Sequence, residues 1–162
     1  MVYVAVTLGL PDLVADHPQT ADALAHHVHA HAPSLRRLLR ALVAQGLFTE
    51  DDAQRYGLSE QGQPLRADAP GSVRPFVACY GEPWWWQSWG ALLHGVRTGQ
   101  TPFDGVHGTG FFDYLDEHGD ARALFQANMS AMTAGDARSV VDTGAFATTR
   151  MLVDLGAGHA AL

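Results

Sequence analysis

The sequence contains no lysine, a single cysteine and no apolar run of the roughly 18 residues that a membrane-spanning helix needs. All ten of its basic residues are arginines, and with 17 acidic residues among 162 the formal net charge is −7. An acidic protein is not attracted in bulk to nucleic acid or to anionic membranes. Because Cys79 is the only cysteine, an intrachain disulfide is excluded and nothing indicates secretion.

The apolar N-terminal segment MVYVAVTLGLPDLVADHP lacks the features of a signal peptide. It has no basic region at its start, and it carries Asp12 and Asp16. We therefore expect a cytoplasmic protein. The first eight residues are apolar around the whole circumference of a helix, so they need cover from their own domain or from a second subunit.

Two helices and a hairpin are predicted over TADALAHHVHAHAPSLRRLLRALVAQGLFTEDDAQRYGLS. Thr20 is suited to cap the first helix, and Pro33 fits the first turn of the second, which Gly46 ends. The segment LFTEDDAQRYGLS alternates, turns and alternates again, which is typical of a β-hairpin. The combination predicts a helix-turn-helix with a wing.

The remainder is predicted to be mainly helical up to residue 150. Residues 60–82 hold turns and one short helix, and WWWQSWGALLHGVRTG forms a helix that begins at Pro83. TGQTPFDGVHGTG is predicted to be a loop because it is rich in turn formers. One or two further helices follow in residues 110–146.

The final residues, MLVDLGAGHAAL, resemble a strand that enters a cofactor loop. Met151–Leu155 is a short apolar run that contains Asp154, and Gly156 and Gly158 follow it. Glycines let a backbone approach a phosphate or nucleotide closely at the start of a helix. A lone Gly-x-Gly is also compatible with an ordinary turn, so the motif is weak by itself.

Two motifs suggest ligands that the composition does not favour. Arg36, Arg37 and Arg40 lie on the predicted recognition helix and could contact DNA, but the wing TEDDAQ carries three acids. The HHVHAH stretch offers histidine pairs three and four residues apart without a cysteine or carboxylate to complete a metal site. We expect neither a nucleic acid partner nor a metal.

The tryptophans at positions 84, 85, 86 and 89 form a row at helical spacing. Such a row can stack on a planar ligand, but it more commonly packs in a core or a subunit interface. Phe125, Met129 and Met132 share one face of a later helix, where they suit the wall of a pocket for a flat aromatic compound.

Taken together, these segments resemble the S-adenosylmethionine-dependent O-methyltransferases of plant phenolics and bacterial antibiotic pathways. The resemblance rests on the order and spacing of LGLPDLV, PSLRRLLRALVAQGLF, YGLSEQG, WGALLHGVRTGQTPF, FFDYL, FQANM and VDLGAGHA. It implies a mainly α, winged-helix-like dimerisation domain with a small β-hairpin over residues 1–100. Linker helices at 101–149 would contribute to the acceptor pocket, and 150–162 would begin a truncated Rossmann-like α/β domain.

The resemblance also implies roles for individual residues. Phe112, Phe125 and Met129 match positions that face the acceptor in relatives, and Thr133 lies where a hydroxyl can touch the cofactor. Asp154, Gly156 and Gly158 match the cofactor loop. The loop departs from the family at Ala157 and Ala160, where relatives have glycine.

The expected function is therefore the N-terminal part of a small-molecule O-methyltransferase that acts as a homodimer on an aromatic or polyketide hydroxyl. The general base and most of the cofactor sheet would lie beyond residue 162. We expect no catalytic residue within this chain, no S-adenosylmethionine bound by it alone and no methyl transfer. Two alternatives stay open: a naturally short, non-catalytic partner or ligand-binding protein, and a winged-helix regulator.

Overall fold

The computed structural model describes residues 1–144, 146–151 and 153 of the chain. It divides into two compact units, Met1–Ala78 and Cys79–Leu162. The fold is mainly helical with one small antiparallel sheet. Within the described ranges, no helix is both long enough and apolar enough to cross a membrane.

The first unit contains the two predicted helices. Its helices are α1 (Val2–Thr7), α2 (Leu10–Leu13), α3 (Ala21–His27) and α4 (Ala32–Ala44). Thr20 caps α3 as predicted, because its hydroxyl oxygen accepts a hydrogen bond from the Ala23 amide at 3.2 Å. Pro33 lies in the first turn of α4, and Gly46, just after that helix, has a φ of +74°.

The predicted hairpin is confirmed, and a third strand extends it. Strands β1 (Gln19–Thr20), β2 (Phe48–Glu50) and β3 (Arg55–Leu58) form a sheet in the order β1-β3-β2, with both pairs antiparallel. Strand β1 is two residues long, which is too short to show the alternation that identifies a strand in a sequence. Because β1 pairs with β3 and α3 begins directly after β1, this strand connects the start of α3 to the hairpin.

The core of the first unit lies between α3, α4 and the hairpin. It is built from Leu24, Leu35, Leu39, Leu42, Phe48 and Tyr56. The Tyr56 hydroxyl donates a hydrogen bond to Glu50 Oε1 at 2.9 Å. Burial and this hydrogen bond raise the pKa of the Tyr56 phenol, so the hydroxyl keeps the proton that it donates to Glu50.

Helix α1 is only partly covered by its own unit. Ala5 and Val6 are buried, whereas Val4 is 42% exposed and Met1 is 62% exposed. The sequence predicted that every face of this segment would be buried, and the structure buries one face. The other face is exposed in this chain.

The second unit is a set of short helices followed by one long helix. It is preceded by a 3-10 helix at Gln63–Leu65, which lies in the first unit, and by helix α5 (Arg74–Gly81), which crosses the boundary between the units. They are followed by α6 (Pro83–Gly90), α7 (Leu92–Thr98), α8 (Pro102–His107), α9 (Phe111–Glu117) and α10 (Gly119–Asp142).

Two predictions about this region were wrong. The helix expected from Pro83 breaks at Ala91 into α6 and α7. The expected loop TGQTPFDGVHGTG contains α8, in which Pro102 occupies the first turn and Gly108, with a φ of +72°, ends the helix. Proline and glycine favour turns, but they also mark the start and the end of a short helix. The sequence pattern alone did not distinguish a loop from a short helix here.

Gly62 marks the closest backbone approach in the first unit. A Cβ atom added there would lie 2.1 Å from the Leu47 carbonyl oxygen and 2.7 Å from Leu58 Cδ1. These atoms flank the hairpin, so a side chain at Gly62 would displace the wing from the segment that follows it.

The substitution Gly62→Ala is therefore expected to lower the free energy of unfolding by about 1–3 kcal/mol. The control is Gly105→Ala on α8, where an added Cβ meets no atom within 4 Å, and it is expected to be neutral or to stabilise by up to about 1 kcal/mol. Urea denaturation followed by circular dichroism measures both. Equal stability of the two variants would contradict the close approach at Gly62.

Candidate functional site

The second unit is organised around a group of aromatic side chains that we call the aromatic cluster. Its members are Tyr80, Trp84, Trp85, Phe103, Phe111, Tyr114 and Phe125. Trp84 is buried, and its ring centroid lies 6.4 Å from Phe103, 6.2 Å from Phe111 and 6.0 Å from Tyr114. The cluster thus joins α6, α8 and α9 into one body.

Phe111 connects the cluster to the long helix. Its ring lies 5.6 Å from Trp85, 5.2 Å from Phe103 and 5.2 Å from Phe125, in edge-to-face geometry at each contact. The Phe111 side chain on α9 therefore contacts α6, α8 and α10. The family resemblance indicated the neighbouring residue, Phe112. The sequence analysis therefore missed Phe111, although the two phenylalanines are adjacent in the sequence.

An apolar cavity of about 300 Å³ opens beside this cluster, and we call it the aromatic cavity. Its lining residues are Trp85, Ser88, Trp89, Leu92, Thr101, Pro102, Phe103 and Phe111. The volume lies at the lower end of the range of small-molecule sites, which are mostly lined by apolar and aromatic side chains. Its apolar and aromatic lining suits a flat aromatic compound.

Phe112 and Phe125, two predicted acceptor-facing residues, line a second cavity of about 250 Å³. Their ring centroids lie 6.5 Å apart, and Phe112 is 71% exposed. Arg122 and Asp116, whose charged atoms are 3.5 Å apart, also line this cavity. The structure brings the two phenylalanines together, and their contact with an acceptor stays a prediction.

Met129, Met132 and Thr133 continue along α10 beyond Phe125. Met129 and Met132 are both exposed, and their contact with an acceptor stays a prediction. The Thr133 hydroxyl donates a hydrogen bond to the Met129 carbonyl at 3.0 Å, which leaves the hydroxyl oxygen able to accept one from a ligand. The other predicted cofactor residues, Asp154, Gly156 and Gly158, lie outside the described residues.

The row of tryptophans divides between core and surface. Trp84 is buried and Trp85 is half-buried, whereas Trp86 and Trp89 are 63% and 56% exposed. The sequence left open whether this row packs or binds a ligand; the structure shows packing at Trp84, and ligand binding stays a prediction. Trp84 packs in the cluster, and Trp85 and Trp89 line the aromatic cavity.

Two side-chain groups of the second unit are buried without a hydrogen-bond partner among the described residues: the Trp85 indole N–H and the Asn128 amide. Asn128 is fully buried on α10. Sequence reasoning missed it, although it is the only asparagine of the chain and interrupts an otherwise apolar stripe.

Cys79 is also buried in this unit, and burial, followed by the nearby charge of Glu82, raises the pKa of its thiol. A buried neutral thiol behaves as a small apolar side chain and is a poor nucleophile. Cys79 therefore belongs to the packing of the cluster.

The arginines considered for DNA contact lie on the exposed side of α4. The Arg36 guanidinium pairs with Asp22 at 3.1 Å, and Arg37 donates to the Ser34 hydroxyl at 3.5 Å. In the wing, Asp51 pairs with Arg55 at 2.8 Å, and hydrogen bonds from Arg55 lower the pKa of Asp51. The hairpin presents carboxylates where a DNA-binding wing would present cations.

The histidine-rich stretch spans a helix end. His26 and His27 close α3, His29 takes a positive φ of 52°, and His31 precedes α4 with its Nδ1 at 3.0 Å from the Ser34 hydroxyl. Over the described ranges of the chain, no three or more histidine, cysteine, aspartate or glutamate side chains come together as a metal site.

Comparison with known proteins matches both halves of the chain to one family. Residues 1–67 match the O-methyltransferase dimerisation domain, and residues 89–162 match the O-methyltransferase domain. The chain belongs to the O-methyltransferase family, and it spans about half the length of the curated relatives it matches.

The chain is 37% identical over 161 residues to a phenazine O-methyltransferase, PhzM, of Lysobacter antibioticus, covering 99% of this chain and 47% of that protein. The crystal structure of LaPhzM matches with a TM-score of 0.81 at 38% identity, over 87% of this chain and 42% of that one.

A second structural relative was solved with small molecules bound. This is the O-methyltransferase NcsB1 from neocarzinostatin biosynthesis, in complex with S-adenosylmethionine and 2-hydroxy-5-methyl naphthoic acid. It matches with a TM-score of 0.70 at 37% identity, over 82% of this chain and 40% of that chain.

Proposed function

We propose that this chain is the part of an S-adenosylmethionine-dependent O-methyltransferase that forms the dimer and one wall of the acceptor pocket. The acceptor would be a planar aromatic or polyketide natural product with a free hydroxyl. The observation that carries the proposal is the aromatic cavity of about 300 Å³, built on the rigid aromatic cluster. The bicyclic acid bound by NcsB1 and the phenazine named for the Lysobacter relative are planar compounds of this class.

The wall has two parts in this proposal. Trp85, Trp89 and Phe111 offer ring faces and edges to the acceptor in the aromatic cavity. Phe112 on α9 and Phe125, Met129 and Met132 on α10 would add further apolar side chains to the wall. Aromatic and methionine side chains bind flat rings by stacking and dispersion, which fixes the ring plane and leaves the reacting hydroxyl to be positioned by other groups.

The cofactor would be held mainly by the segment after α10. Asp154, Gly156 and Gly158 are the proposed loop residues, and Thr133 would add a hydroxyl contact from α10. When bound, S-adenosylmethionine supplies the methyl group. The described residues provide orientation and exclusion of water for the acceptor, and we assign no general base to them.

The proposed division of labour follows the chain. Residues 1–100 form the dimerisation domain, 101–149 supply linker helices to the pocket, and 150–162 begin the cofactor domain. The protein would act as a homodimer. This is supported by the match to a dimerisation domain and by the exposed apolar residues Leu93 and Val96 of α7, at 61% and 76% exposure.

The dimer can be tested by sedimentation equilibrium of the wild-type chain and of Leu93→Glu. The wild type is expected to sediment as a dimer, and the variant is expected to weaken association at least tenfold because it places a charge in an apolar interface. Gln87→Glu, on the exposed surface of α6, is the control for added charge. A monomeric wild type would contradict the proposal.

The acceptor wall can be tested with two tryptophans of one helix. Trp89 lines the aromatic cavity and Trp86 does not, although both are more than half exposed. Trp89→Leu is expected to weaken binding of 2-hydroxyphenazine about tenfold, or ~1.4 kcal/mol, whereas Trp86→Leu leaves it within about twofold. Isothermal titration calorimetry measures both, and equal effects would argue against this cavity as the acceptor site.

A further inference from the structure

The aromatic cavity offers a ligand ring and aliphatic carbon but no charge. Among the described residues that line it, none has an acidic or basic side chain. Polar side-chain atoms are carried only by Trp85, Ser88, Trp89 and Thr101. Whether the cavity can take a polar substituent of an acceptor therefore depends on these four side chains.

The polar atoms of the half-buried lining are either engaged or out of reach. The Ser88 hydroxyl donates its hydrogen to the Trp84 carbonyl oxygen at 3.2 Å, so only its oxygen can interact with a ligand. The Trp85 indole N–H is itself buried, so a ligand in the cavity cannot accept a hydrogen bond from it. Trp89 and Thr101 are exposed, so water competes for their donors. The half-buried lining thus offers a carboxylate neither a cation nor a free donor.

This lining disfavours some ring substituents and tolerates others. A carboxylate that loses its water without gaining a cation or a donor is costly to bury, and an unpaired carbonyl has a smaller cost of the same kind. A ring that bears only hydrogen or methyl groups has no such cost and can pack against Trp85, Phe103 and Phe111. The cavity therefore favours the ring of a polycyclic compound that lacks carboxylate and carbonyl groups.

We infer that the aromatic cavity orients the acceptor by receiving its ring without carboxylate or carbonyl groups, so that the reacting hydroxyl and any carboxylate lie outside the cavity. This inference rests on the proposed function, because it requires that the acceptor bind in this cavity. The lining binds and orients the acceptor and takes no part in proton or methyl transfer. The ligand class is thereby narrowed to polycyclic aromatics that keep one ring free of such groups.

The test uses two isomers that have the same charge and differ in where their polar groups lie. In 3-hydroxy-2-naphthoate the hydroxyl and the carboxylate share one ring, whereas in 6-hydroxy-2-naphthoate each ring carries one of them. The neutral compound 2-naphthol is the reference. Isothermal titration calorimetry on the full 162-residue chain is expected to show a preference of about tenfold or more for 3-hydroxy-2-naphthoate.

Two arginine substitutions test whether the cavity causes this preference. Leu92 lines the cavity and is 45% exposed, whereas Val106, 39% exposed on α8, is not among the described lining residues. Leu92→Arg and Val106→Arg add the same charge to the protein, but only Leu92→Arg brings a cation to the cavity. Leu92→Arg is expected to bind 6-hydroxy-2-naphthoate more tightly and to lower the preference to about threefold or less, whereas Val106→Arg keeps it at about tenfold.

Intermolecular nuclear Overhauser effects supply the second readout. With 3-hydroxy-2-naphthoate bound to the wild type, the protons of its unsubstituted ring are expected to contact the rings of Trp85 and Phe111. Contacts to these two side chains from the substituted ring instead would overturn the inference. So would equal binding of the two isomers by the wild type, a tenfold preference that survives in Leu92→Arg, or an equal loss of preference in Val106→Arg.

The reference compound separates the inference from the proposed function. If 2-naphthol binds with contacts to Trp85 and Phe111 but the wild type binds both isomers equally, the orientation fails and the acceptor wall stands. If the wild type binds none of the three probes, the acceptor wall itself fails, and the inference fails with it.

Discussion

The packing of aromatic rings around Trp84 is the interaction on which the second unit depends. Helices α6, α8 and α9 have eight, six and seven residues, and helices this short are not stable on their own in water. Ring contacts from Trp84 to Phe103, Phe111 and Tyr114 hold them together. A hydrogen-bond contact of 2.9 Å between His107 Nε2 and the Trp84 carbonyl oxygen adds a polar link between α8 and α6.

This packing explains how a small unit can carry a binding surface. Ring contacts with neighbouring helices hold Trp85, Phe103 and Phe111 in place, so these three walls of the aromatic cavity are fixed by packing. Apolar surface is also exposed outside the cluster, at Trp89 and Val96. An acceptor and a second copy of the chain are the partners that the proposal assigns to these surfaces.

The sequence predicted the first unit well because its signals are local. Thr20, Pro33 and Gly46 mark helix ends by their own backbone chemistry, and the alternation on either side of the turn identifies the hairpin. The sequence-based prediction was wrong at α8, because Pro102 and Gly108 are compatible with both a loop and a short helix. Only tertiary packing decides between the two structures. Strand β1 was missed because two residues carry no periodicity.

The candidate site was only partly predictable for a related reason. The family resemblance indicated Phe112 and Phe125, which the structure places on one cavity, but it did not indicate Phe111 or Trp85. Their importance comes from contacts between helices that are distant in sequence. The burial of Asn128 is likewise a property of packing, since an asparagine in a helical stripe is ordinarily exposed.

The central claim is that the aromatic cluster forms a preformed wall for a planar acceptor, and intermolecular nuclear Overhauser effects test it most directly. With 2-hydroxyphenazine bound, the account predicts contacts from the probe protons to the rings of Trp85 and Phe111, which line the aromatic cavity. Contacts confined to Trp86 and Val96, outside that cavity, would contradict it.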